Sequence, residues 1–512
     1  MKKLLFLSLI TLVGVGFPAC TDLEENPIGL LAPQSFFNTP DDLETAMLGT
    51  YAWLANEQMY GRKMVLTLQL RSDMCDIGDR NTPSRRQDVN DFNMDSNNGM
   101  VTAIWPNAYR AISAANAAVD GAAQLEETGP RVDAIVAEAR FLRAFVYYHL
   151  VRLFGDLPYI DFFIADPASV ADLSKTPAAE IYNNIVADLE FAKANLPDVQ
   201  ADGVRTRPTR GTATAYLASV HMTLGNWQDS YNNAKEVIDN KGTFGYELEA
   251  DFADLFKARV ADNLQEHIFA VDFLGNQNGG SNQNTDWMGP ITGIRSVTVA
   301  GDPTGSGWSV SVPNFRVYET WDSRDYRKEV SFIDTAFIGD DVVGFEAFAP
   351  NHGSPRPHIA KFFQFCGESR GDCGRSDNNY VAMRFAEILL IAAEAGNMIG
   401  RPADEIFGYL NEVRARARNW AGRMVDFPAD VSGSLSQSEI TDLILEDRRL
   451  ELAFEFKRWY DIKRYQLGDE VFKGPSSLEP HSNFSSSRDY LLPLPQDELD
   501  RNPNLEPQNA GY

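Results

Sequence analysis

TRGTATAYLASVHMTLGNWQDSYNNAKEVIDN, residues 209–240, carries a leucine-glycine step in the middle of a helix-forming run. Glycine accepts the left-handed backbone that ends a helix, so the stretch predicts two helices joined at Gly225 and Asn226. Trp227, Tyr231 and Ile238 then line one side of the second helix. A helix with a single apolar side needs a partner, and a hairpin of two helices supplies one. If that hairpin is a building unit, the flanking sequence should repeat it.

It does. Residues 38–58, NTPDDLETAMLGTYAWLANEQ, predict a helix capped by Thr39, with Pro40 in its first turn and Asp41 and Asp42 at the positive end of its dipole. Leu43, Met47 and Tyr51 recur at spacing four as its stripe. Residues 132–158 place Val136, Ala139, Leu142, Val146, Leu150 and Leu153 on one face and stop at Gly155, with Pro158 beyond. Residues 177–197 repeat the pattern with Ile181, Ile185, Leu189 and Leu196 between Pro177 and Pro197. Further on, residues 378–398 and 402–417 predict a pair joined by a Gly-Arg-Pro turn, and Ser436 with Glu439 has the spacing of a capping box at the start of a last long helix. The 209–240 unit resembles a tetratricopeptide repeat, in which a Leu-Gly turn joins two helices of about 34 residues in all. The predicted fold class is mainly α: a superhelical scaffold of stacked helix pairs.

Between 245 and 380 the pattern breaks. Apolar pieces such as HIFAVDF (267–273) and IAKFFQF (359–365) alternate with Gly, Asn, Ser and Pro clusters, which predicts loops and short strands. The expected boundaries are a leader over 1–19, a tether over 20–37, a helical region over 38–244, this loop-rich segment over 245–380 and a second helical region over 381–512.

Lys2 and Lys3, the apolar run over 4–15 and the small or turn-prone residues up to Ala19 have the layout of a secretory signal. Cys20 follows directly and resembles the lipid-accepting cysteine of a bacterial lipoprotein; an ordinary cleaved signal leaving a free thiol is the alternative. The run is shorter than the roughly 20 residues of a membrane span, and the chain has no second one. Among the other cysteines, Cys366 and Cys373 lie in one Gly-rich loop and predict a local disulfide in an oxidising compartment. Cys75 is left single and is expected to be buried. A net charge of −26 excludes nucleic acid as a partner, because phosphate binding needs a basic surface. Neither cysteine pair has CxxC spacing and the six histidines are scattered, so no zinc or other metal site is read.

Several strings imitate chemistry. GESRG (367–371) fits G-x-S-x-G, but Ser369 is followed by loop instead of the helix a nucleophile elbow needs. Asp91, Asn93 and Asp95 are spaced like the start of a calcium loop that lacks its later Gly and Glu; a structural calcium ion held irregularly in such oxygen-rich loops stays open. Residues 446–465 look basic and aromatic, yet on one helix Glu455 falls three before Arg458, Lys457 four before Asp461, and Leu452, Phe456 and Trp459 at packing intervals. Nothing singles out two of the 72 acidic residues as a glycosidase pair.

What stands out is the setting of the loop tryptophans. FLGNQNGGSNQNTDWMGP (273–290) and DPTGSGWSVSVPNFRVYETW (302–321) place Trp287, Trp308 and Trp321 among amides, glycines and hydroxyls. A sugar ring has an apolar C–H face and a hydroxyl rim, which an aromatic plate flanked by amides complements. Any one of these tryptophans is more often a core residue pinning a long loop; Trp287, with the least apolar neighbours, is the exception that reads as a site residue.

Motifs along the whole chain resemble the SusD/RagB family of outer-membrane lipoproteins of Bacteroidetes. They are ARFLRAFVYYHLVRLFGDLPYI at 139, RPTRGTATAYLASVHMTLGNW at 207, MRFAEILLIAAEAGN at 383, LNEVRARA at 410, EDRRLELAFEFKRWYDIKR at 446 and LPLPQDELDRNPNLEPQNAGY at 492, with WPNAYRAISAANAAVD at 105 similar to an early helix of the family. The resemblance implies four tetratricopeptide-like helix pairs. It implies a non-catalytic surface binder that captures glycan, needs no cofactor, and caps a TonB-dependent SusC-like transporter while anchored to outer-membrane lipid through Cys20. Capture of peptides or another nutrient by the same lid-type fold is the second reading, and a glycoside hydrolase the third. The family's motifs are scaffold, so Trp105 and Trp459 inside them are poor site candidates. Trp287, Trp308, Tyr60, Arg80 and Asn97, in irregular segments, are the candidate ligand-binding residues.

Overall fold

Thr39 caps the helix Pro40–Leu54, α1, in a box with Asp42, so local chemistry sets where this helix begins. The computed structural model describes residues 36–258, 260–275, 285–295, 307–338, 341–348, 355–364, 366–367 and 373–512. The leader, Cys20, nearly all of the 20–37 tether and Ser369 lie outside the described residues.

Past two shorter helices, Lys63–Leu70 and Ser84–Asn90, the scaffold continues with α2 (Val101–Ala122), α3 (Pro130–Phe154), α4 (Ala178–Asn195), α5 (Arg210–Leu224) and α6 (Trp227–Asp239). The set closes with α7 (Phe385–Met398), α8 (Ala403–Ala417) and α9 (Gln437–Glu451). From α1 to α8 each helix packs on its predecessor, and α6 meets α7 directly, so the stack continues past the long segment between them. Among the described residues this makes four helix pairs, with α9 laid against α7. Phe37–Tyr512 is one compact unit. No helix among the described residues is long and apolar enough to cross a membrane.

α3 shows why a stripe was too narrow an expectation. Beyond the predicted face it also buries Val132, Ile135, Phe141, Phe145, Tyr147, Tyr148 and Val151, because α1, α2 and α4 cover it from several sides. Its buried charges are answered individually. Arg143 grips Asp188 of α4 at 2.7 and 2.8 Å, and Arg207 grips Glu138 at 2.6 and 2.8 Å. The Gly155 stop stands where the sequence placed it, at φ 76°.

Four expectations shift. On α1 the buried set is Pro40, Leu43, Met47, Thr50 and Leu54, while Tyr51 is half-buried and donates its hydroxyl to Glu138. On α6 it is Val237 that is buried, and Ile238 is half-buried. IAKFFQF is not a strand: only His358–Ile359 pairs, with Phe332–Ile333, and Ala360–Phe363 forms a helical turn. The helix expected from residue 378 starts at Phe385, because Tyr380–Arg384 is a strand crossing the expected 380/381 boundary. With β1 (Cys75–Ile77), β2 (His267–Val271) and β3 (Ser311–Pro313) numbered in order, it is β4, antiparallel to β2; β1 pairs with β3.

The stretch 446–465 departs most. α9 ends at Glu451, Phe454 and Phe456 both take φ 64°, and a separate helix runs Arg458–Arg464. Left-handed backbone is costly for such residues, and here it turns the acids inward. Glu455 reaches Lys361 at 2.7 Å and Arg384 at 2.8 Å instead of Arg458; Lys457 pairs with Glu387 at 2.9 Å instead of Asp461. Arg458 reaches Asp73 at 2.7 Å. Around Arg384 a buried ion network forms: Glu266 at 2.8 Å and Glu451 at 2.5 Å from Arg384, Arg416 on both acids, and Arg327 joining Glu451 to Asp325. It locks the loop-rich segment onto α8 and α9.

Candidate functional site

The β1–β3 ladder pairs Cys75 with Pro313, Asp76 with Val312 and Ile77 with Ser311. It extends through the Gly78 N–H to the Val310 carbonyl at 3.0 Å and the Asp79 N–H to the Ser309 carbonyl at 2.7 Å. Trp308 and Arg80 thus leave the same end of one ribbon. Ser309 sits at φ 47°, turning the chain so that the Trp308 N–H donates to the Pro290 carbonyl at 2.6 Å. Pro290 belongs to the short helix Met288–Thr292, which follows Trp287. The Trp287 N–H in turn donates to the Gly61 carbonyl at 2.8 Å, and a methyl on Gly61 would run into the Thr285 carbonyl.

This folding stacks the two indoles. The Trp287 and Trp308 ring centres lie 5.6 Å apart at 27°, and both rings are half-buried, so each keeps part of its surface in solvent. The Arg375 guanidinium lies 5.9 Å from the centre of the Trp287 ring. On the ribbon side, half-exposed Arg295 is ion-paired with Asp79. Arg80, 50% exposed, holds Asp91 at 2.8 and 2.9 Å and Asp76 at 3.2 Å. A pair of indoles beside guanidinium and carboxylate groups can stack against an apolar ring face and exchange hydrogen bonds with its polar rim.

The remaining candidates are placed differently. The backbone of Tyr60 adjoins the Trp287 contact at Gly61, but its ring points inward: 4% exposed, stacked 5.8 Å from Phe145, with its hydroxyl 3.0 Å from His149 Nε2. Burial, aided by Arg152, holds the His149 imidazole well below the usual range, so the ring is neutral; its Nδ1 lies 2.9 Å from the Tyr460 hydroxyl. Asn97 is exposed beside the C-terminal tail, where the Ser96 hydroxyl donates to Gln496 at 2.9 Å. Trp321, Trp105 and Trp459 are all buried. Cys366 and Cys373 are joined in a disulfide, and Cys75 is buried. Among the described residues no cluster of three or more His, Cys, Asp or Glu is disposed to hold a metal, and Asp91 is engaged by Arg80.

Sequence reading missed Arg375, Arg295, Asp79 and Asp286. The one local signal was the position of Asp286 just before Trp287 and of Arg375 two residues beyond Cys373. Asp286 is buried; Tyr380 and the Met288 N–H both donate to its Oδ1, and its Oδ2 has no partner among the described residues. Burial pushes its carboxyl up to about 7, against the pull of those two donors. The folded value lies above the unfolded one of roughly 3.9, so its contribution to stability is complete below that pH and is lost as the pH rises through about 7. Tryptophan fluorescence is expected to titrate with a midpoint near 7 and to go flat over that range in Asp286→Asn. An identical titration in the variant would assign the proton elsewhere.

Two family models match the chain: the SusD family over residues 346–512, and a family described as starch-binding and associating with the outer membrane over residues 23–222. SusD-like protein P2 of Formosa agariphila is 48% identical over 511 residues, covering 98% of each chain. A crystal structure of a SusD homologue from Bacteroides thetaiotaomicron superposes with a TM-score of 0.81 at 20% identity, over 94% of this chain and 98% of that one. A solved laminarin-binding SusD-like protein gives 0.77 at 23% identity, over 93% of this chain and all of that one. These two likenesses show the shared fold.

Proposed function

This chain belongs to the SusD family, and on that premise we propose that it is a cell-surface glycan-binding lipoprotein. It captures oligosaccharide or polysaccharide without cleaving it and passes it to a TonB-dependent SusC-like transporter in the outer membrane. Cys20 carries the lipid that keeps it there.

The observation that carries the glycan reading is the stacked, half-buried pair of Trp287 and Trp308 with the Arg375 guanidinium over one ring and the Arg295–Asp79 ion pair on the ribbon side. Two rings present more apolar surface than one, which suits a chain of sugars better than a single unit. The named ligand of a relative of the same fold, laminarin, is a glycan and supports the same class. A delivery protein has to release its ligand, so stacking with a few rim hydrogen bonds is a better fit than an enclosed pocket.

Native electrophoresis of the chain beginning after Cys20, in gels containing a broad panel of polysaccharides, tests this. Retardation by at least one of them is expected, with no release of reducing sugar. Retardation by none, together with binding to a peptide pool, would overturn the glycan reading in favour of peptide capture, and liberated reducing ends would overturn the non-catalytic part. For the anchor, full-length Cys20→Ser is expected to leave the membrane fraction; retention there would refute lipidation at that residue.

A further inference from the structure

Behind the indole pair, the segment 373–380 is tied at several points to the segment that carries Trp287. The Arg375 N–H donates to the Asp286 carbonyl at 2.7 Å, and the Tyr380 hydroxyl donates to the Asp286 carboxylate. Gly289, in the helix that Trp287 opens, rests on Cys373: a Cβ there would lie 2.6 Å from the Cys373 carbonyl oxygen and 2.7 Å from its Cβ. Cys373 and Arg375 take φ 59° and 57°, so a hook of left-handed residues is pressed against this helix. Such a backbone is strained for residues that carry a Cβ and persists only where its surroundings hold it.

Cys366 anchors it from the other side. Its sulfur is bonded to Cys373, and its carbonyl accepts from the Ser376 hydroxyl at 2.6 Å. Both cysteines are fully buried with Phe363, Phe348 and Ile294, and the Ile294 carbonyl accepts the Gly307 N–H at 2.7 Å, one residue before Trp308. The disulfide therefore abuts the helix after Trp287 through Gly289 and shares a buried cluster with Ile294, which anchors the residue before Trp308. Closing this loop also restricts the unfolded chain and so adds general stability, which is read from melting and separately from the ring geometry.

We infer that the Cys366–Cys373 disulfide is the positioning element of the Trp287–Trp308 pair, setting the pitch of one ring against the other. Its consequence for affinity rests on the glycan reading above; its consequence for ring geometry does not.

Full-length Cys366→Ser/Cys373→Ser tests it through the near-ultraviolet circular dichroism of the coupled indoles. That signal is expected to fall clearly while helical dichroism at room temperature stays close to the parent and melting drops with the lost cross-link, and affinity for any retarding polysaccharide is expected to fall about tenfold. An unchanged indole signal overturns the inference. If the double variant does not fold, Gly289→Ala decides, since it presses on the same contact with the disulfide intact. Loss of the indole signal there supports the inference, and a retained signal overturns it. The spectrum reads out even if no polysaccharide binds, so failure of the glycan reading is recognised separately.

Discussion

Arg384→Met is expected to lower stability by about 3–5 kcal/mol, the range for breaking a buried ion pair from one side. Arg384 is 2% exposed and divides its donors among Glu266, Glu451 and Glu455. With it removed, those acids and Asp325 face only Arg416, Arg327 and Lys361, so one buried carboxylate loses its counter-charge. A left-over carboxylate can relieve itself by taking a proton, so the gap to the parent should narrow as the pH falls below neutral. Arg384→Lys keeps the charge but not the fork that reaches three acids, and should fall between the two. Urea midpoints followed by helical dichroism measure all three. A midpoint for the methionine variant equal to the parent would mean that the network adds nothing over apolar packing.

The same network sets an acid limit in the parent. Burial pushes Glu451 up, but Arg416, Arg384 and Arg327 outweigh it and hold its carboxyl at about 2. Arg448 and Arg464 do the same for Asp461, also at about 2 against burial. Both folded values lie below the unfolded ones of roughly 4, so this stability is present above that pH and is lost as the pH falls through about 2.

Trp287→Ala and Trp308→Ala are each expected to weaken binding to a retarding polysaccharide about thirtyfold, the roughly 2 kcal/mol of an aromatic anchor, and together to abolish the shift. Truncation of either side chain leaves in place the backbone bonds that seat the residues, Trp287 N–H to Gly61 and Trp308 N–H to Pro290, so melting should change little. Loss of one ring also exposes the inner face of the other, so the single changes should be less than additive. An undiminished shift in the double variant, with the fold intact, would move the binding surface away from this pair.

Helix placement was legible wherever the signal lies within a few residues. Thr39 before Pro40, Gly155 after a long run, Gly225 between two runs, and Ser436 with Glu439 all act where the sequence suggested. The pairing of Trp287 with Trp308 was not legible. Each could be nominated from its amide-rich neighbourhood, but their stacking depends on Gly61, Pro290 and Ser309, which only the fold assembles. Tyr60 illustrates the reverse: an irregular segment placed it beside the site, and the neighbouring helix drew its ring into the core.

The sequence by itself determined the stacked helix pairs, because apolar spacing, caps and left-handed glycines act on backbone within one or two turns. Only the tertiary structure decided which charges meet and which rings touch. Glu455 reads locally as a partner for Arg458, yet a break at Phe454 and Phe456 delivers it to Lys361 and Arg384. Side chains buried together satisfy one another across any distance in the chain, and spacing along the sequence carries no record of that.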